Sequence, residues 1–160
     1  MKVALIDCDG VVADFGRHTL DLLGMQDVPS SEIKTWSMTD VFSDRKGDME
    51  GLWATPEFWA TLPLIDGAVD GVKNIERKGY DIVWLTSGYE PCPLWWHLRL
   101  NWLRENFGTH DHALCAMHKK WLVDGSFFVD DKLSHVKKWR AHQGRPTEAR
   151  GKSRPSARLR

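Results

Sequence analysis

Apolar residues in this chain come in short runs that stop at polar residues, with longer amphipathic stretches between them. Residues 2–6 form a β-branched and apolar run ending at Asp7, which predicts a buried strand. Residues 15–23 follow a helical spacing, and Gly24 is placed to stop that helix. From residue 25 to 62 the pattern breaks up. Pro29, Gly47, Gly51 and Pro56 interrupt it, and Trp36, Trp53, Phe58 and Trp59 are scattered through it, so a small, mostly helical insertion with loops is expected. Regular spacing returns with Ala68, Val69, Val72 and Ile75 on one helix face and a stop at Gly79. Residues 81–85 predict a second strand, ending at Thr86, Ser87 and Gly88. Pro93 is placed to open a helix that runs to about Asn106. Residues 113–117 read as a weaker strand and residues 126–129 as a stronger one that ends at Asp130 and Asp131. A last helix is expected over 132–142, stopped near Gly144.

Strands alternating with helices predict an α/β fold, a Rossmann-like three-layer parallel sheet carrying a small helical cap. The expected division is a core of residues 1–15 and 64–143, a cap of 16–63 and a basic tail of 144–160. Ligands of such sheets bind beyond the carboxyl ends of the strands. Here those ends bear Asp7, Thr86 and Asp130, while Lys119 and Lys120 follow the weak strand. Four carboxylates, those of Asp7, Asp9, Asp130 and Asp131, would repel one another in one cleft. A divalent cation relieves that repulsion, and hard oxygen ligands with open positions suit Mg²⁺ and a substrate phosphate. The residues then fit phosphoryl transfer. Asp7 is the candidate nucleophile and Asp9 the candidate acid and base. Gly10, Thr86, Ser87 and Lys120 would contact the phosphoryl group, and Gly10 can also supply a tight turn. Lys119 is read as the solvated neighbour of Lys120. Asp131 would hold the metal directly and Asp130 would support it.

Composition narrows the class further. The chain has 160 residues, 42% hydrophobic and 28% charged, which is the range of one soluble domain. No apolar run approaches a membrane span, and the first apolar run is too short for a signal peptide. Three scattered cysteines, Cys8, Cys92 and Cys115, suggest reduced thiols in the cytoplasm rather than a disulfide framework or zinc site. None of the seven histidines pairs convincingly on a helix face, so a histidine metal site is not expected. The net charge of zero conceals an acidic body and a basic end. Residues 137–160 hold nine Lys or Arg and one acid, leaving a net −8 in residues 1–136. Such an end is a solvated tail or a contact for nucleic-acid phosphates. Of the nine tryptophans, Trp84, Trp95, Trp96 and Trp102 are expected to pack, while Trp36, Trp53 and Trp59 are candidates to meet a ligand.

Asp7-Cys8-Asp9-Gly10-Val11, Thr86-Ser87, Lys120 and Asp130-Asp131 stand in the order of the four motifs of the haloacid dehalogenase (HAD)-like hydrolases, which the chain resembles. The second aspartate, Asp9, is typical of the phosphatases in that superfamily. Residues 7–15, residues 58–68 and the stretch from Cys92-Pro93 through Trp102 to Phe107-Gly108 resemble the 5′(3′)-deoxyribonucleotidases. The resemblance covers about residues 1–135 and is thinnest across 25–55.

The resemblance implies Mg²⁺ held by Asp7, the backbone carbonyl of Asp9, and Asp131. It also implies cleavage of a deoxyribonucleoside monophosphate to nucleoside and phosphate, with the base enclosed by aromatic residues. Phe15, Trp36, Trp53 and Phe58 match or approximate those positions, and aromatic faces stack on bases in any case. Gly88 replaces the proline that usually follows Thr-Ser, and Lys132 replaces an arginine. His118 or Lys119 stands where an arginine precedes the third motif. The family's strand after the fourth motif is not evident, so the sheet would lack an edge strand or take one from a second copy of the chain. Two other readings stay open: a 3′-phosphatase acting on nucleic-acid ends, and a non-catalytic nucleotide-binding module.

Overall fold

The computed structural model describes residues 2–29, 38–108, 113–116 and 118–144. Among the described residues there are four parallel strands: β1 (Val3–Asp7), β2 (Asp81–Thr86), β3 (Ala113–Ala116) and β4 (Phe127–Val129). They lie in the order β3-β2-β1-β4. Ala4 pairs with Ile82 on one side and Phe127 on the other, so β1 is central. The chain adds β2 on one side of β1 and β4 on the other, which opens a crevice where the order reverses. Among the described residues β4 borders the sheet, and no strand lies beyond it.

The alternation of β1 and β2 explains the layers. Ala4 and Ile6 face one core together with Ile82 and Trp84, while Leu5 and Leu85 face the other. The first core is covered by α5 (Ala68–Arg77) and α6 (Trp95–Phe107), which contribute Val72, Trp95, Trp102 and Leu103. The second is covered by α7 (Leu133–Gln143), whose Trp139 packs on Phe128. Pro93 lies before α6 rather than opening it, since Leu94 caps that helix. Trp84, Trp95 and Trp102 are buried as expected, but Trp96 is not: it is 48% exposed. The physical reason is helix geometry. Trp95, Arg99 and Trp102 lie on one face, and Trp96 is turned about 100° away from Trp95.

Between β1 and α5 lie α1 (Phe15–Leu22), α2 (Met38–Val41), a 3₁₀ turn (Ser43–Arg45), α3 (Lys46–Trp53) and α4 (Pro56–Ala60). Asp14 caps α1 by accepting from the Arg17 amide at 3.1 Å. This segment has its own small core of Leu20, Met38 and Met49. It leaves and re-enters the sheet domain at adjacent points. The Asp14 amide donates to Pro63 at 2.8 Å and the Ile65 amide to Val12 at 2.9 Å. Both ends of the insertion are thereby tied to the loop that follows Asp7. Trp36 lies outside the described residues, as do His110, His112 and the basic end beyond Gly144. No helix among the described residues is long and apolar enough to cross a membrane.

Candidate active site

Asp7 ends β1 and is 3% exposed. Its Oδ1 accepts from the Cys8 amide at 2.8 Å, and its Oδ2 lies 2.5 Å from Lys120 Nζ. Lys120 opens the 3₁₀ turn Lys120–Leu122 and is buried, whereas its neighbour Lys119 is exposed. The structure therefore brings Lys120 to the carboxylate and leaves Lys119 in solvent. Lys120 Nζ also stands 3.6 Å from Asp130 Oδ2.

Asp130 and Asp131 follow β4. Asp130 has both oxygens engaged, Oδ1 by the Lys132 amide at 2.8 Å and Oδ2 by His135 Nδ1 at 3.0 Å. An ionised carboxylate only accepts, so His135 donates from Nδ1. Asp7, Asp130 and Asp131 each offer an oxygen within 4.8 Å of the others. Burial pushes the Asp7 carboxyl up to about 7, with Lys120 opposing the rise and Asp130 adding to it. Burial and then Asp130 lift Asp131 to about 6. Burial disfavours the Lys120 ammonium, but Asp7 and Asp130 outweigh it and its pKa is raised. Crowded carboxyls in a region of low dielectric are the setting that a divalent cation relieves, and an all-oxygen set suits a hard ion. The residues present thus fit Mg²⁺.

The loop after β1 is shaped by Gly10, at φ 78°. Its amide donates to the Ala13 carbonyl at 2.9 Å, so it has no proton left for a phosphate. This corrects the expectation that Gly10 binds phosphate. Its role is spatial instead: a Cβ at this position would run into the Asp131 carboxylate. Thr86, at the end of β2, is 0% exposed, and its hydroxyl has no partner among the described residues. Leaving a buried hydroxyl unpaired costs about 1–3 kcal/mol, a penalty that a phosphoryl oxygen would remove. Ser87 follows it, half-buried on the same rim.

Asp9 has a partner that the sequence reading missed. Arg99 of α6 is 1% exposed, and its Nη2 donates to Asp9 Oδ1 at 2.6 Å. Burial opposes the guanidinium charge, but Asp9, Cys8 and Asp7 more than offset this, and its pKa is raised. The available signal was an arginine between Trp95 and Trp102 on a face that should be apolar. His135 was missed as well. No spacing rule links it to Asp130, apart from its place one turn into the helix that follows.

The described aromatic candidates form one cluster where the insertion meets the sheet. The Phe15 ring lies 5.2 Å from Trp53, 5.3 Å from Phe58 and 5.9 Å from Trp59. Tyr89, from the loop after β2, joins through Trp59 at 5.7 Å and Trp53 at 6.2 Å. Phe15, Trp53 and Tyr89 are half-buried. Phe58 is 1% exposed and Trp59 4% exposed, so both back the cluster and neither presents a free face. Phe58 therefore does not line a pocket in this conformation. Its position on the inward side of α4, hidden by Phe15 and His18, is the reason.

An aspartate paired with a buried lysine beside a carboxylate cluster, at the carboxyl ends of a parallel sheet, fits a HAD-type phosphoric monoester hydrolase. The chain belongs to the family described as 5′ nucleotidase, deoxy (pyrimidine), cytosolic type C protein, whose model matches residues 1–147. Two similar proteins, provisionally named 5′(3′)-deoxyribonucleotidases, come from Bordetella. That of Bordetella pertussis is 26% identical over 138 residues, 80% of this chain and 73% of its own length. That of Bordetella bronchiseptica is 25% identical over 138 residues, with the same coverage of 80% and 73%. Among solved structures, a provisionally named HAD-hydrolase of Bacillus subtilis bound to magnesium matches with a TM-score of 0.39 at 19% identity. It covers 71% of this chain, which spans 64% of that structure's length. A HAD hydrolase of Entamoeba histolytica matches with a TM-score of 0.32 at 13% identity, over 90% of this chain and 71% of its own.

Proposed function

We propose that the protein is a Mg²⁺-dependent nucleotidase that hydrolyses deoxyribonucleoside or ribonucleoside monophosphates to nucleoside and phosphate. The observation that carries the reading is the buried Asp7 carboxylate, paired with Lys120 and set within reach of Asp130 and Asp131. One Asp7 oxygen attacks phosphorus and the ester P–O bond breaks, giving an aspartyl phosphate. Asp9 gives its proton to the departing sugar oxygen. It then takes one from the water that cleaves the acyl phosphate, which restores Asp7. Thr86 donates its free hydroxyl to a phosphoryl oxygen, Ser87 lies beside it, and Lys120 balances the charge. Asp7, the backbone carbonyl of Asp9, and Asp131 would hold Mg²⁺, with Asp130 fixed behind them by His135 and Lys132. When bound, the ion supplies positive charge against the phosphate.

The half-buried faces of Phe15 and Trp53, joined by Tyr89, are the candidates for stacking on the base. An aromatic cluster bridging insertion and core favours a mononucleotide over a nucleic-acid end. The buried free thiols Cys8 and Cys92 suit a reducing, cytoplasmic setting. The test is phosphate release from a panel of deoxy- and ribonucleoside monophosphates and a 3′-phosphorylated oligonucleotide. Release from mononucleotides supports the reading. Release from the oligonucleotide alone would move the function to end-processing.

A further inference from the structure

Arg99 is a buried cation among the aromatic residues of the first core. Its side chain is 0% exposed, and the guanidinium carbon lies 5.4 Å from the Trp59 ring, 5.8 Å from Trp95 and 5.7 Å from Trp102. Its Nε and Nη1 have no hydrogen-bond partner among the described residues. Its hydrogen bond and ion pair go to Asp9 Oδ1 at 2.6 Å. A buried cation carries a large desolvation penalty, and an apolar residue would pack α6 against α4 at less cost. Packing alone therefore does not account for an arginine here. The three indole rings hold the flat guanidinium by cation–π contact and restrict where Nη2 can point.

We propose that Arg99 is a positioning residue for Asp9. It clamps Oδ1, so that Oδ2 is the oxygen that exchanges a proton with the departing sugar oxygen. Asp9 is 28% exposed, and without the clamp its carboxylate is free to rotate to other staggered positions. Trp59 belongs to α4, at the return from the insertion, so the seat of the insertion on the core also bears on the clamp. This inference rests on the reading of Asp9 as the proton donor and acceptor.

The test compares a deoxyribonucleoside monophosphate, whose alkoxide needs a proton to leave, with 4-nitrophenyl phosphate, whose phenolate leaves without one. Arg99→Met is expected to lower kcat for the nucleotide about 10- to 100-fold, the scale of a misplaced catalytic group, with KM little changed. The pre-steady-state release of 4-nitrophenolate is expected to keep its wild-type rate. In an Asp9→Asn background, Arg99→Met is expected to cost nothing further, because the two act as a unit. Arg99→Lys, which keeps the charge as a single point donor, is expected to restore part of kcat. It replaces Arg99→Met in the same cycle if that variant does not fold. Equal loss on both substrates, or a full loss added to that of Asp9→Asn, would overturn the proposal in favour of a packing role. A wild-type protein inactive on every nucleoside monophosphate would remove the underlying reading and this inference with it.

Discussion

Gly10→Ala perturbs the rim by one methyl group in two separable ways. The backbone at φ 78° costs an alanine roughly 1–2 kcal/mol. The added Cβ also runs into the Asp131 carboxylate, so that side chain must leave its present place beside Asp7 and Asp130. Gly67 provides the control. It has the same φ of 78°, and nothing lies within 4 Å of a Cβ built on it. A loss of 1 kcal/mol lowers Tm by about 2–4 °C in a chain of this size. Gly67→Ala is therefore expected to fall by roughly 2–8 °C with its Mg²⁺ response intact. Gly10→Ala is expected to fall at least as far, and to need about 10-fold or more Mg²⁺ for half-maximal phosphate release. The assays are thermal denaturation and phosphate release titrated with Mg²⁺. Identical behaviour of the two variants in both would refute the claim that Asp131 is held against Gly10 as part of the metal site.

In metal-free protein the Asp7 carboxyl is raised from 3.8 to about 7. Its contribution to stability is thus fully present below the unfolded value and is lost as pH rises through about 7. Urea midpoints in chelator are expected to fall across that window more steeply than in Asp7→Asn, and equal slopes would contradict this. Mg²⁺ needs deprotonated ligands, so it is expected to raise Tm more at about pH 8 than at about pH 5. His135→Ala removes the donor to Asp130 Oδ2 and is expected to weaken Mg²⁺ affinity by about 10- to 100-fold, measured by the same titration. Trp53→Leu is expected to raise KM for nucleotides by about 5- to 150-fold, from a stacking energy of roughly 1–3 kcal/mol, and to leave KM for simple phosphate monoesters without a base unchanged.

The parts of the molecule that the sequence made legible are those fixed by backbone topology. Asp7, Thr86 and Asp130 lie at or just beyond the ends of their strands because short apolar runs mark buried parallel strands, and the rim follows from that. Lys120 could be chosen over Lys119 because its spacing to Asp130-Asp131 fits the family that the chain resembles. What was not legible depends on side chains far apart in sequence. Arg99 meets Asp9 across 90 positions, and helical periodicity treats an arginine on an apolar face as an exception without saying what it faces. Phe58 and Trp59 read as ligand candidates because the insertion lacks a clean period, and only the packing of α4 shows that they are covered. Trp96 illustrates the opposite error. A run of apolar residues at the start of α6 widened the apparent buried face beyond what one helix can present to one core. Gly10 was assigned to phosphate by its motif, yet a single hydrogen bond to Ala13 redirects its role.

The central claim is that Asp7 attacks the phosphate of a nucleoside monophosphate with Mg²⁺ in place. The most direct measurement is phosphate released from a deoxyribonucleoside monophosphate by the wild-type protein with Mg²⁺, by the same protein in chelator, and by folded Asp7→Asn with Mg²⁺. The account predicts release in the first case and none above background in the other two. Release that survives in chelator, or that Asp7→Asn retains, would contradict it.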